Sequence, residues 1–232
     1  KPRPLPDDSA SIKEWATAIR MALPYDENGE VTLDEVNSRI PDKLGDAGTY
    51  LFERKISLQK YDFYLSDSEA YNLHKRIIIP FYWKKQLIGY TARAFENNIK
   101  PKYYSQYDTN YVYNTDLQTP DKSCVIVCEG PFDAMAIDGV AILGNECSEV
   151  QADIIDSLGR EVIVVPDNDR AGRSLVDQAQ EYGWSVSFPI WHENCKDVNA
   201  AVSKYGKLFV LKAIVEGKES NKLKIELKKK KM

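Results

Sequence analysis

CVIVCEGPFDAMAID (124–138) and EVIVVPDNDRAG (161–172) decide the fold. Each opens on a short run that is apolar on both faces, stops on an acidic residue, and resumes with helical spacing. The same alternation extends outward through VAIL (140–143), SEVQADIIDSLG (148–159), AGRSLVDQAQEYG (171–183) and WSVSFPI (184–190). Short buried strands separated by helical segments are the pattern of βαβ units around a parallel sheet. The reading is four strands and three helices. Local punctuation agrees: Pro131 suits a first helical turn, Ser148 an N-cap, and Gly159 and Gly183 the stops after two helices.

In open α/β sheets the carboxyl ends of the strands converge on one crevice, so the residues after each apolar run are where chemistry is expected. Here they are acidic: Glu129-Gly130 after the first run, Asp167-Asn168-Asp169 after the third, and Lys196-Asp197 after the fourth. Glu-Gly and Asp-x-Asp are also ordinary turn sequences. Their recurrence after successive buried strands favours a shared site. Two carboxylates about 4 Å apart repel by roughly 4 kcal/mol at an effective dielectric of 20, so such a cluster calls for a cation. Oxygen donors select Mg2+ or Mn2+ over zinc. Asp133 adds a further carboxylate on the first helical turn, where the helix dipole also explains an acid. Beyond Asp169, the small residues Ala171 and Gly172 start a helix whose N–H groups could meet a phosphate, with Arg173 as an assisting cation.

The N-terminal stretch is different. Ser11 to Met21 carries Trp15 and Ile19 at helical spacing, with Leu23 beyond it and Ser9 or Ser11 as caps, and predicts a helix. YLFERK (50–55) predicts a short helix. RIIIPFYW (76–83), a KKQ turn and LIGYTARAF (87–95) predict a β-hairpin, followed by the aromatic segment PKYYSQYDTNYVYN (101–114). Basic Arg76, Lys84, Lys85, Arg93, Lys100 and Lys102 interleave there with Tyr82, Trp83, Tyr90, Tyr103, Tyr104 and Tyr107. Basic groups track phosphates and aromatic faces stack unpaired bases at roughly 1–3 kcal/mol per base. About half of those aromatics are expected in the hairpin core, because strands favour Tyr and Trp. The expected organisation is α/β: an α+β unit over 1–115, a mainly parallel domain over 116–212, and a basic tail over 213–232.

Composition bounds the alternatives. A length of 232 residues with 43% hydrophobic content supports one or two domains, and a net charge of −4 excludes a uniformly basic binder. The four cysteines and two histidines lack the paired spacing of a zinc site. No apolar run approaches the roughly 20 residues of a membrane span and the start KPRPLPDD lacks a signal-peptide core, so a cytoplasmic protein is expected. The chain opens on Lys1 rather than methionine, as a processed product or, on the favoured reading, an excised fragment would.

EGPFDAMA (129–136), VVPDNDRAG (164–172) and KDVNAAV (196–202) resemble the three acidic motifs of the Toprim domain, in the form found in DnaG-type and bacteriophage primases. YLFERKIS (50–57), RIIIPFYWKKQLIGYTARAF (76–95) and PKYYS (101–105) resemble the stretch ahead of the Toprim domain in those enzymes. The resemblance implies a primase catalytic core, a basal subdomain followed by a Rossmann-like Toprim domain, that synthesises RNA primers on single-stranded DNA from ribonucleoside triphosphates. It implies Glu129 as acid/base or metal-shaping carboxylate, Asp167 and Asp169 as metal ligands, and Asp197 as an accessory ligand. It also implies that Arg76, Arg93 and Lys102 contact template or nucleotide. A replicative helicase and a zinc-binding primase module, neither present in this sequence, are the implied partners. Two departures stand out: Lys55 where the family has glycine, and Asn168 where it usually has glycine. The second is mild if that position is left-handed, because Asn tolerates such a backbone. A Toprim nuclease or topoisomerase fragment, and a non-catalytic nucleic-acid-binding Toprim module, remain the alternatives.

Overall fold

The computed structural model describes residues 12, 16–19, 45–70, 72–169, 172–191 and 195–232, which form two compact units, Pro2–Thr109 and Asn110–Met232. The caps expected at Ser9 or Ser11, with Trp15, Leu23, Arg170 and Ala171, lie outside the described residues.

The first unit is an antiparallel sheet in the order β1 (Ala16–Ala18), β2 (Tyr64–Ser66), β3 (Arg76–Trp83), β4 (Gln86–Ala94), β5 (Tyr103–Gln106), with helix α1 (Gly45–Glu53) before β2. Residues 16–18, expected in a helix, instead pair with β2. Tertiary pairing there overrides a weak helical period. The hairpin β3–β4 turns on Lys84 and Lys85, both left-handed at φ 51° and 66°, as a two-residue turn with matching twist requires. Its centre is buried on both faces: Ile77, Ile78, Ile79 and Phe81 are at most 1% exposed. Lys55, just past α1, is left-handed with φ 56°, the conformation that glycine adopts without strain. Asn168 is not among the residues with positive φ, so tolerance of a left-handed backbone is not what that asparagine provides.

The second unit holds a five-stranded sheet in the order β10-β9-β8-β6-β7. Its elements are β6 (Cys124–Cys128), α2 (Pro131–Ile137), β7 (Val140–Ala141), α3 (Glu149–Asp156), β8 (Glu161–Val164), α4 (Gly172–Glu181), β9 (Ser185–Ser187), α5 (Val198–Tyr205), α6 (Lys207–Glu216), β10 (Lys218–Glu219) and α7 (Lys222–Lys229). Strands β7, β6, β8 and β9 run parallel, and β10 closes one edge antiparallel to β9. Inward valines of β6 and β8 join Leu175, Val176 and Val186 in one core. Ser148 caps α3 in a reciprocal capping box with Gln151. Pro131 opens α2, and Gly159 and Gly183 are left-handed at φ 68° and 74°. The lysine-rich end of the chain is more than a solvated run. Helix α7 places Ile225, 1% exposed, in the same core, and Gln180 donates to Glu226 at 2.6 Å. Among the described residues no helix is long and apolar enough to cross a membrane.

Candidate functional site

Strand β6 lies between β7 and β8, so the connections leaving β6 and returning through β7 to β8 run to opposite sides of it. Ligands gather at such a switch point, outside the carboxyl ends of the strands. Glu129 follows β6 and Asp167 follows β8, so the topology delivers both to that position. The two are tied directly: the Asp167 N–H donates to Glu129 Oε1 at 3.0 Å.

The other carboxylates arrive on helix starts. Asp133, on α2 and 9% exposed, accepts from the Asn199 N–H at 2.8 Å. Asp197 is the N-cap of α5 and accepts from the Ala200 N–H at 2.7 Å. Asp169 accepts from the Gly172 N–H at 3.0 Å at the start of α4. Each of these four acids thus commits an oxygen to a backbone amide, a favourable charge-assisted arrangement for carboxylates at helix N-termini.

Those hydrogen bonds leave Asp167 as the most strained charge. Burial, then the charges of Asp133, Glu129, Asp197 and Asp169, push its carboxyl up to about 8. Glu129 also moves upward through burial and the charge of Asp169, partly offset by the amide of Asp167. Buried Cys128, beneath them, is pushed well up by burial and by the charges of Asp133, Asp167, Glu129 and Asp197. Five carboxylates therefore share one field of negative charge. Among the described residues no three His, Cys, Asp or Glu side chains are drawn closely enough together to hold a metal as they stand. Their oxygen donors and the unrelieved charge at Asp167 nonetheless match what a hard divalent cation neutralises.

Gly172 sets how tightly α4 closes on this site, which the sequence alone did not reveal. A Cβ there would lie 2.2 Å from the Asp167 carbonyl oxygen. Arg173, one residue on, donates to the backbone carbonyl of Met232 rather than extending into solvent.

The basic residues of the first unit divide into two kinds. Arg76 is wholly buried, and its guanidinium donates to the carbonyls of Pro101 at 2.7 Å, Ala92 at 3.3 Å and Lys102 at 3.4 Å. It binds the β5 approach to the sheet and so holds the backbone of Lys102 in place. Arg93, 6% exposed, stacks over Tyr103 at 4.6 Å and faces Tyr50 at 5.8 Å, while Arg54 covers Tyr50 at 4.6 Å. Lys84, Lys85, Lys100 and Lys102 are exposed. Of the interleaved aromatics, Tyr90 is core at 8% exposure, Tyr103 is exposed, and Tyr82, Trp83, Tyr104 and Tyr107 are half-buried.

Residues 126–202 match the Toprim-like family. No curated protein matches the chain by sequence. Among solved structures, the RNA polymerase domain of Mycobacterium tuberculosis primase DnaG is similar with a TM-score of 0.65 at 18% identity, over 78% of this chain and 78% of that one. The zinc-binding and RNA polymerase domains of the Aquifex aeolicus primase give 0.63 at 18% identity, over 84% of this chain and 64% of that one. A DnaG primase catalytic domain bound to single-stranded DNA gives 0.57 at 18% identity, over 79% and 77%. The chain has the fold of a DnaG primase catalytic core, and residues 126–202 within it are Toprim-like.

Proposed function

We propose that this chain is the RNA polymerase core of a DNA primase, joining ribonucleoside triphosphates into short primers on single-stranded DNA. The observation that carries the reading is the convergence of Glu129, Asp167, Asp169, Asp133 and Asp197 on one switch point, with a carboxyl pushed up to about 8 at its centre. Such a group belongs where a cation or a phosphate charge is to be managed. The residues fit Mg2+ or Mn2+, with Asp167 and Asp169 as the principal ligands and Asp133 and Asp197 as accessory ones. A bound divalent cation would lower the barrier to attack by a 3′ oxygen and neutralise departing pyrophosphate.

The chain's own groups supply the rest. Glu129 holds the Asp167 loop by accepting from the Asp167 backbone N–H. Gly172 lets the N-terminus of α4 approach that loop, where backbone N–H groups favour phosphate. Lys84, Lys85, Lys100 and Lys102 give the first unit a track for template phosphates, and Tyr103, backed by Arg93, offers a face for an unpaired base. Arg76 serves this surface indirectly by holding Lys102.

The test is incorporation of labelled ribonucleotides on a short single-stranded DNA template with Mg2+ or Mn2+. De novo oligoribonucleotides that disappear in Asp167→Ala and Glu129→Ala support the reading. Metal-dependent cleavage of labelled DNA without synthesis would replace it with a Toprim nuclease. DNA binding with neither activity would leave a non-catalytic binding module.

A further inference from the structure

Three helices of the second unit lie on one face of its sheet. The chain crosses from β7 to β8 through α3, and on from β8 to β9 through α4 in the same direction, so right-handed crossovers put both helices on that face. Helix α7 joins them, its Ile225 sharing one core with Ala152 and Ile155 of α3 and with Leu175, Val176 and Ala179 of α4. Helix α4 is the middle member. Gln178 bonds both backbone groups of Cys147, just ahead of α3, at 2.7 and 3.0 Å, and Gln180 donates to Glu226 of α7 at 2.6 Å.

The two edges of this layer carry opposite charge. Helix α7 turns Leu223 and Leu227, one turn apart and 71% and 54% exposed, to solvent among Lys222, Lys224 and Lys230. Helix α3 turns out Val150, 40% exposed, beside Glu149 and Asp153. Neither pattern serves its own helix throughout: lysines in the first turn of α7 and acids in the last turn of α3 both oppose the helix dipole. Among the described residues Lys222 and Lys230 form no ion pair, and neither do Glu149 and Asp153. A solvated charge run accounts for the lysines. It does not account for the leucines among them or for the matching acids on the opposite edge.

We infer that this helical layer docks a second copy of the chain, the basic, leucine-bearing α7 of each copy against the acidic α3 of the other. A twofold axis running along α4, in the plane between two facing layers, sets each α3 over the partner's α7, so both contacts form at once and the assembly closes as a dimer. Apolar side chains then meet at the centre of each contact and opposite charges frame them, the arrangement by which paired helices choose their partners. Neither edge includes a residue of the acid cluster, so this surface stands or falls apart from the primase reading.

Sedimentation of the whole chain reads the association. The dimer is expected to weaken by about tenfold or more between about 50 and 500 mM salt. Leu223→Ser combined with Leu227→Ser is expected to weaken it by about tenfold at an unchanged melting temperature. Lys222→Glu with Lys230→Glu makes both edges acidic, and Glu149→Lys with Asp153→Lys makes both basic, so each of these variants alone is expected to be a monomer. Their equimolar mixture restores opposite charges at both contacts and is expected to sediment as a heterodimer, which also shows that both variants are folded. A parent chain that stays monomeric up to about 1 mM overturns the inference. So does a dimer indifferent to the charge reversals, or a mixture that stays monomeric although both variants melt like the parent. The leucine pair changes no charge and decides the matter if a reversed variant unfolds: a dimer that ignores it overturns the inference.

Discussion

The two units handle charge in opposite ways. In the second, five carboxylates are gathered where β6 and β8 end, and they remain in conflict: Asp167 is pushed up to about 8 by burial and four neighbouring acids. In the first, the two most buried cations among the described residues lie against internal partners, Arg76 on three backbone carbonyls and Arg93 against tyrosine rings, with the Arg93 Nε left without a hydrogen bond. Conflict kept in a structure marks a place where an external ion is expected; charges already satisfied mark architecture. On the proposed function, chemistry belongs to the acidic crevice, support to the buried arginines, and template contact to the exposed lysines of the hairpin.

The strongest way to break this contrast is pH. Asp167 and Glu129 both hold protons more tightly folded than unfolded, so the folded chain binds more protons above the unfolded carboxylate value. Without metal, stability is expected to fall as pH rises from about 4 to about 8, the window set by Asp167, and to level off above it. Asp167→Asn should flatten that fall and, near the top of the window, melt higher than the parent chain while losing roughly a hundredfold or more in primer synthesis. A parent chain whose metal-free melting temperature rises across the window would show that the carboxylates are not in conflict.

Gly172→Ala attacks the same crevice through the backbone. The added Cβ would meet the Asp167 carbonyl at 2.2 Å, so a loss of roughly 1–3 kcal/mol is expected, together with reduced synthesis. Chemical denaturation measures the first and the template assay the second.

Arg76→Met and Lys102→Ala sharpen the other side. Removing the buried guanidinium takes a donor from the carbonyls at 92, 101 and 102, of which Lys102 keeps the Ala94 N–H at 3.0 Å, and leaves a buried site to be refilled, for an expected loss of roughly 2 kcal/mol. Lys102→Ala should move stability by no more than about 0.5 kcal/mol yet lower the salt dependence of single-stranded DNA binding by about one phosphate contact. Equal stability losses in the two variants would erase the distinction between supporting and template-facing cations. Lys55, left-handed at φ 56°, is a modest stabilising test: glycine there should stabilise the chain by roughly 1 kcal/mol, read as a shift in denaturation midpoint.

The placement of Glu129 and Asp167 was legible because strand ends in a parallel sheet are fixed by apolar runs, and the runs of β6 and β8 lead straight into a carboxylate. The capping box at Ser148 and the left-handed stops at Gly159 and Gly183 are local signals of the same sort. The lysine at 55, where the resemblance led one to expect glycine, was legible as a departure but not as a left-handed position, which was expected at Asn168 instead. Other features depend on contacts between distant segments. Nothing in RIIIPFYW tells a buried arginine from a surface one, since strand alternation breaks down where both faces are covered. Ala16–Ala18 joins β2 because a partner edge exists there. Helix α7 looks like a solvated lysine run until Ile225 finds the core, long lysine stems being free to reach water from a packed helix. A cavity beside Asp197 draws on segments from positions 165 to 232, a combination no local window displays.

The central claim, that these carboxylates form a cation-dependent centre, is tested most directly by Mn2+ titration watched by electron paramagnetic resonance, comparing the parent chain with Asp167→Asn near pH 8, where the carboxyl at about 8 can ionise. Saturable binding in the parent that Asp167→Asn weakens by about tenfold or more is the predicted result. Binding of equal strength in both chains, or none in the parent, would contradict it.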